Sequence, residues 1–305
     1  MMKRIMDEKA YAKINLGLDV LRRREDGYHQ LKTGMQTVSL ADELTIEVGG
    51  EPGIRIFCNR PELPTDRRNL AYQAAETFLS CAGLNIGIQI RIRKHIPAAA
   101  GLAGGSADAA AVFRALNTLF DRPFSGGELQ NMARPLGADI PFCICGGTCL
   151  AEGIGEQLTI LPELAPCRIV IAKPVFDLST AFIYGNLHAD RIPEDAHPDM
   201  DRIVNVICEG NLERLRGMLG NVLERPAREA YPQIEACKQA FLLRGAIASS
   251  MSGSGSAVFG VFAEEEQALC CIDSLEQDKQ RLGLSEIFLT RPVSRPLESG
   301  TMGIT

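Results

Sequence analysis

The chain lacks the lysine on which a common phosphate-binding loop depends. The pattern G-x-x-x-x-G-K-[ST] needs a Gly-Lys pair, and none occurs in the 305 residues. The most glycine- and alanine-rich loop does not fit G-x-G-x-x-G either, because Gly101, Gly104 and Gly105 have the wrong spacing. The eukaryotic-type kinase signatures H-R-D and D-F-G are missing as well. There is no basic surplus: 32 Lys and Arg face 38 Asp and Glu, for a net charge of −6. A nucleic-acid partner is therefore not expected. The run Arg22-Arg23-Arg24 is followed at once by Glu25 and Asp26, and reads as a solvated turn or, less simply, an anion contact. No run approaches the roughly 18 apolar residues of a membrane span, and the N-terminus has no uninterrupted apolar segment. The expectation is a cytoplasmic protein with no membrane partner. The ten cysteines show no framework spacing. Cys58, Cys143, Cys145, Cys149, Cys208 and Cys237 read as reduced, buried small hydrophobes, and CICGGTC (143–149) reads as core packing rather than a metal site.

The residues present alternate and cluster informatively. In AYAKINLGLDVL (10–21), Ala10, Ala12, Ile14, Leu16, Leu18 and Val20 share one strand face, and Tyr11, Lys13, Asn15 and Asp19 share the other. IGIQIRIR (86–93) alternates more strictly and runs into PAAAGLAGGSADAAA (97–111), where eleven of fifteen residues are Gly or Ala. A helix is expected over 106–120 with Ser106 as N-cap and Asp108 in its first turn. Strand, small-residue loop and helix N-terminus together make an anion site built from backbone N–H groups and the helix dipole, and phosphate is the natural guest. Further expectations are a helix over 68–82, a hairpin over 147–161 turning near Gly153 and Gly155, and a buried strand at 167–174. Mostly helix is expected over 199–245, strand then helix over 257–277, and a last strand at 287–293. The mixture has no regular βαβ rhythm, so it reads as α+β in two lobes rather than a doubly wound sheet.

The motif P-x-x-x-G-L-x-G-G-S-x-D-A-A (97–110) resembles the phosphate motif of the GHMP kinases. Residues 10–42 resemble the N-terminal motif of that superfamily, and SSMSGSGSAVFGVF (249–262) its C-terminal glycine motif. LGADIPFCICGGTCLAEGIGEQL (136–158) narrows the resemblance to one branch, and the match spans 7–292. Two departures stand in the loop: Ala103 where Gly is frequent, and Ala107 where a second Ser is frequent. They leave Ser106 as the loop's only hydroxyl.

The resemblance implies the two-lobed GHMP kinase fold with its active site in the cleft between lobes. It implies an N-terminal domain over 1–157 and a C-terminal domain over 158–292, with 293–305 expected as a disordered tail. It implies ATP-dependent phosphorylation of the 2-hydroxyl of 4-diphosphocytidyl-2-C-methyl-D-erythritol, in the non-mevalonate isoprenoid route. ATP and Mg2+ would be the cofactors, and the assembly a monomer or weak homodimer. Another small-molecule kinase of the superfamily and a non-catalytic nucleotide-binding module remain as alternatives.

Residue by residue, the resemblance makes Asp139 the acceptor of the hydroxyl proton and Lys13 its catalytic partner. ATP would lie on Pro97, Ala98, Ala99, Ala100, Gly101, Leu102, Ala103, Gly104, Gly105, Ser106 and Ala107, with Asn69, Leu70 and Lys94 near the adenosine. The substrate would meet Asn15, Tyr28, His29, Thr180, Gly253, Ser254 and Gly255. Tyr28 would stack on cytosine, with Tyr184, or failing it Phe182, on the opposite face. Ser106 is the single weak candidate for a metal ligand.

Overall fold

The computed structural model describes residues 4–25 and 27–295. Two long antiparallel strands, β1 (Arg4–Arg23) and β2 (His29–Val48), open the fold. They are followed by β3 (Gly53–Cys58), α1 (Leu70–Cys81), β4 (Gly87–Arg93) and α2 (Gly104–Leu119). Next come α3 (Gly126–Ala133), α4 (Ile140–Cys145) and the hairpin of β5 (Thr148–Gly153) and β6 (Gln157–Ile160). These strands form one sheet in the order β3-β4-β2-β5-β6, with β1 also paired to β2. Its core face takes the alternating apolar side chains of β1 and β4, among them Ala12, Ile14, Leu16, Ile88 and Ile90, against the alanine stripe of α2. In β4 the period-2 pattern separates a buried from an exposed face, whereas in β1 the polar face, with Lys13, Asn15 and Asp19, is buried as well.

The second lobe holds β7 (Arg168–Pro174), α5 (Thr180–Gly185), α6 (Met200–Glu209), α7 (Glu224–Ala230) and α8 (Gln233–Leu243). It closes with β8 (Ala248–Met251), β9 (Val258–Phe262), α9 (Glu265–Gln277), α10 (Lys279–Leu282) and β10 (Leu284–Thr290). Its strands make a four-stranded antiparallel sheet in the order β10-β7-β9-β8. The expected two-lobed α+β arrangement is present. The expected division after residue 157 falls inside β6, so the chain leaves the first sheet after Ile160 and enters the second at Arg168.

Several local expectations are corrected. The helix after the loop starts at Gly104, not Ser106; its N-cap is Ala103 in the left-handed region at φ 57°, with no side-chain cap. Ser106 is the third residue of the helix, and Asp108 lies beyond its first turn. Cys208 is exposed, because it sits near the solvated end of α6, whereas Cys145, Cys149 and Cys237 are buried and Cys58 and Cys143 partly so. Burial pushes the thiols of Cys143 and Cys237 up to about 12, so they are poor nucleophiles. The last strand begins and ends three residues earlier than expected. Residues 293–295, expected as the start of a disordered tail, lie along β2: Val293 N donates to Thr37 O at 2.9 Å, and the Arg295 backbone packs on Gly147. The remainder of that tail, 296–305, lies outside the described residues.

Candidate active site

A cleft of about 1470 Å³ runs between the lobes. It is larger than the few hundred to ~1000 Å³ typical of a single small ligand, and so suits two substrates at once. The 97–106 loop forms one wall. It is fastened to β1 through Lys13 N, which donates to Leu102 O at 3.2 Å. It is fastened to the second lobe through Ala257 N to Ala100 O at 3.1 Å and Ser252 Oγ to Gly101 O at 3.0 Å. Gly101 has φ +73°, and a Cβ there would lie 2.0 Å from Ser252 O, so only glycine fits. The first intrahelical bond of α2 runs from Ala107 N to Ala103 O at 2.8 Å. The N–H groups of Gly104, Gly105 and Ser106 precede it and are free of intrahelical partners, and those three residues line the cleft. Ala107, expected among the phosphate contacts, is buried and does not line the cleft, because its N–H already serves the helix.

The lysine missing from the loop comes from β1. Lys13 is buried, and its Nζ lies 3.6 Å from Asp139 Oδ2. It also donates to Asn15 Oδ1 at 2.8 Å; Asn15 Nδ2 donates to Thr33 Oγ1 at 2.9 Å, and Thr33 Oγ1 to Gly17 O at 2.6 Å. Asn15 was expected to meet substrate directly. It lines the cleft, and its carboxamide is also engaged at both ends, by Lys13 and Thr33. Asp139 precedes α4 in the N-cap position but makes no side-chain cap bond, and Pro141 follows just inside the helix. Its carboxylate, 38% exposed toward the cleft, is therefore available to a reacting hydroxyl.

The second lysine is Lys94. Its side chain is only 6% exposed, and Nζ is bound by Asp42 and, at 2.8 Å, by Asp108. Lys94 lines the cleft, but its ammonium is engaged by the two carboxylates. Burial acts against its charge, but the two carboxylates outweigh that and raise its pKa. Asp42 also accepts from His95 N at 2.5 Å and Ile96 N at 2.8 Å. The three side chains pin the start of the loop to β2 and α2. Burial raises the pKa of Asp108 against the pull of Lys94, and its Oδ1 is buried without a hydrogen-bond partner. Asn69 lines the cleft, yet its side chain caps α1, accepting from Ala71 N at 2.9 Å and donating to Pro64 O at 2.7 Å. Leu70 lines the cleft beside Gly105, its Cδ1 3.7 Å from where a Cβ would stand.

At the other end, Tyr28 is 61% exposed on the cleft wall. His29 packs on Tyr184 with ring centroids 5.1 Å apart and the rings tilted by 34°. Burial, and secondarily the charge of Arg23, lowers the pKa of His29, which favours the neutral ring. Tyr184 lines the cleft and Phe182 does not. Thr180 and Ser254 share a hydroxyl hydrogen bond of 2.9 Å, and Gly253, Ser254 and Gly255 line the same wall. Gly253 has φ +54°; a Cβ on it would stand 3.1 Å from Lys13 Nζ and 3.3 Å from Asn15 Oδ1. Arg22 and Arg23, read from sequence as a solvated turn or an anion contact, lie on the cleft. Thr33, Asp42 and Asp108 were missed by sequence reasoning. A carboxylate amid apolar strand residues, as in TVSLAD, was the only available signal for Asp42, and nothing local names its partner.

No helix among the described residues is long and apolar enough to cross a membrane. Among them, no group of three or more His, Cys, Asp or Glu could hold a metal ion.

The model of the GHMP kinases N terminal domain matches residues 69–147, and that of the GHMP kinases C terminal region matches 203–277. The 4-diphosphocytidyl-2-C-methyl-D-erythritol kinase of Clostridium botulinum (strain Loch Maree) is 43% identical over 288 residues, covering 94% of this chain and 100% of that protein. Its counterpart in Acetivibrio thermocellus is 42% identical, covering 93% and 98%. A crystal structure of 4-(cytidine 5'-diphospho)-2C-methyl-D-erythritol kinase superposes with TM-score 0.77 at 33% identity, covering 94% of this chain and 99% of that one. Homoserine kinase from Cytophaga hutchinsonii, at 21% identity and TM-score 0.79, covers 97% and 96% and shares the fold. With a glycine loop, a lysine–aspartate pair and a relative matched end to end, the chain belongs to the GHMP kinases, in the branch of the 4-diphosphocytidyl-2-C-methyl-D-erythritol kinases.

Proposed function

We propose that the protein transfers the γ-phosphoryl group of ATP to the 2-hydroxyl of 4-diphosphocytidyl-2-C-methyl-D-erythritol, giving the 2-phosphate and ADP. The observation that carries this is the Lys13–Asp139 pair, 3.6 Å apart in a cleft whose wall is the 97–106 loop. Phosphoryl transfer needs positioning and charge neutralisation more than covalent chemistry. The backbone N–H groups at the start of α2 hold the ATP phosphates. Asp139 orients the acceptor hydroxyl and takes its proton as the new P–O bond forms. The Lys13 ammonium, aimed by Asn15 and Thr33, offsets negative charge on the transferring group. Leu70 offers an apolar surface near the nucleotide base. Tyr28 stacks on cytosine, while neutral His29, backed by Tyr184, reads its polar edge. Residues 4–160 form the lobe that carries the nucleotide loop, and the 168–290 lobe supplies the Gly253 turn.

Magnesium suits this site as a companion of ATP rather than a resident of a protein cage, since the described residues offer no three-ligand cluster. Ser106 Oγ would be its protein ligand beside phosphate oxygens and water, and the ion would neutralise phosphate charge. The negative overall charge supports a small-molecule rather than a nucleic-acid partner, and the enzyme is proposed to work as a monomer or weak homodimer in the cytoplasm.

The test is an ATP-coupled assay over a panel of acceptors. Turnover of the cytidine-linked substrate with little or none of mevalonate or homoserine is expected, and the reverse preference would overturn the reading.

A further inference from the structure

We infer that Asn221 is a positioning residue that registers the second-lobe glycine turn against the catalytic strand. Residues 220–222 read from sequence as part of a helical stretch. Asn221 forms instead an isolated parallel bridge to β1, just before a turn at Val222: Leu18 N donates to Gly220 O at 2.9 Å and Val222 N to Leu18 O at 3.1 Å. Asn221 is thereby fixed to the strand that carries Lys13 and Asn15.

Its buried carboxamide holds the glycine turn of its own lobe, so the backbone docking on β1 is passed on to that turn. Nδ2 donates to Met251 O at 2.9 Å and Gly253 O at 2.7 Å, and Oδ1 accepts from Leu223 N at 2.9 Å. Glu224, also buried, reinforces the same joint. Its Oε1 accepts from Ser250 Oγ at 2.9 Å and Met251 N at 2.8 Å, and Lys238 neutralises Oε2. On its far side the turn is tied to the phosphate loop by the Ser252–Gly101 and Ala257–Ala100 bonds. Asn221 therefore closes a circuit running from β1 to the glycine turn, to the phosphate loop and back to β1 through Leu102. Gly253, where an added Cβ would stand 3.1 Å from Lys13 Nζ and 3.3 Å from Asn15 Oδ1, sits inside that circuit.

The chemistry demands an amide. Two carbonyl oxygens must receive N–H donors while one oxygen accepts a backbone N–H. Aspartate has the shape, but would set a carboxylate oxygen against both carbonyls. The turn would move away from β1, and the lysine would lose its fixed relation to the phosphates. A misplacement near 1 Å costs rate on the order of 100-fold.

The inference rests on the kinase reading, and the experiment separates the two. Wild type, Asn221→Asp and Asn221→Ser are assayed with ATP and the cytidine-linked substrate, below the melting midpoint of each, alongside the core variant Leu275→Val. Asn221→Asp should lose tenfold or more in kcat with KM for ATP changed less than about threefold. Asn221→Ser, which keeps one donor, should lie between and carries the test if the aspartate variant fails to fold. Leu275→Val should lower the melting midpoint at full kcat. In a Lys13→Ala background, Asn221→Asp or Asn221→Ser should cost little further rate, because both changes act on one arrangement. An inactive wild type refutes the kinase reading. An active wild type with Asn221 variants within twofold of its kcat, or with losses fully additive to Lys13→Ala, refutes the positioning role alone.

Discussion

Replacing Lys94 with methionine tests the reading of the loop's foundation. The ammonium is 6% exposed and lies between two carboxylates that are 0% and 5% exposed. Methionine keeps much of the volume but removes the only cation that contacts either acid among the described residues. Breaking a buried ion pair on one side costs about 3–5 kcal/mol, because the abandoned charge stays buried. At about 2–4 °C per kcal/mol for a chain of this order of size, the melting midpoint at pH 8 should fall by roughly 10 °C. The loss should depend on pH in a stated direction. Burial holds Asp108 above its ordinary value, so between the unfolded carboxylate pKa near 4 and its raised folded value the folded chain binds more protons than the unfolded one. Stability contributed by this group therefore falls as pH rises through that window. With Lys94 gone the window widens upward, and the deficit of the variant should shrink as pH is lowered from 8 toward 5. Adding Asp108→Asn should restore more than half of the loss at pH 8. Thermal melts by circular dichroism at both pH values decide the matter. A variant melting within about 2 °C of wild type at pH 8, or a deficit indifferent to both pH and Asp108→Asn, would refute the argument.

Asp139→Asn should lower kcat by about 100-fold or more with KM for ATP little changed, read by steady-state kinetics; a wild-type kcat would remove Asp139 from the chemistry. Tyr28→Ala should raise KM for the cytidine-linked substrate by about tenfold or more and leave KM for ATP alone, since stacking contributes about 1–3 kcal/mol per base. Gly101→Ala would place its Cβ 2.0 Å from a backbone oxygen, and should reduce kcat/KM by about 100-fold as the loop shifts.

Much of the fold was legible because it rests on periodicity. The two-residue alternation of β1 and β4 named the face that packs on α2, and the small-residue loop feeding a helix named a segment that lines the cleft. The start of that helix was misread because Ser106 is a good N-cap by type, whereas Ala103 enters the left-handed region and starts the helix two residues earlier. Such a backbone choice is set by the loop's ties to Ser252 and Ala257 in the other lobe, which no local pattern encodes.

The sequence by itself determined the chemistry available: a lysine and an asparagine on one strand face, a free aspartate ahead of a proline, a loop of tiny side chains, and an aromatic–histidine pair. Only the tertiary structure decided which cation does what. Lys13 and Lys94 each sit at or near a strand end or face with apolar neighbours, and composition cannot rank them. Folding brings a half-exposed Asp139 to the first and two buried carboxylates to the second, so the two lysines, both at the cleft, have different partners. The reason is electrostatic and geometric. A buried ammonium takes its role from the acids that long-range packing places within 4 Å of it, and those acids lie 14 to more than 100 residues away along the chain.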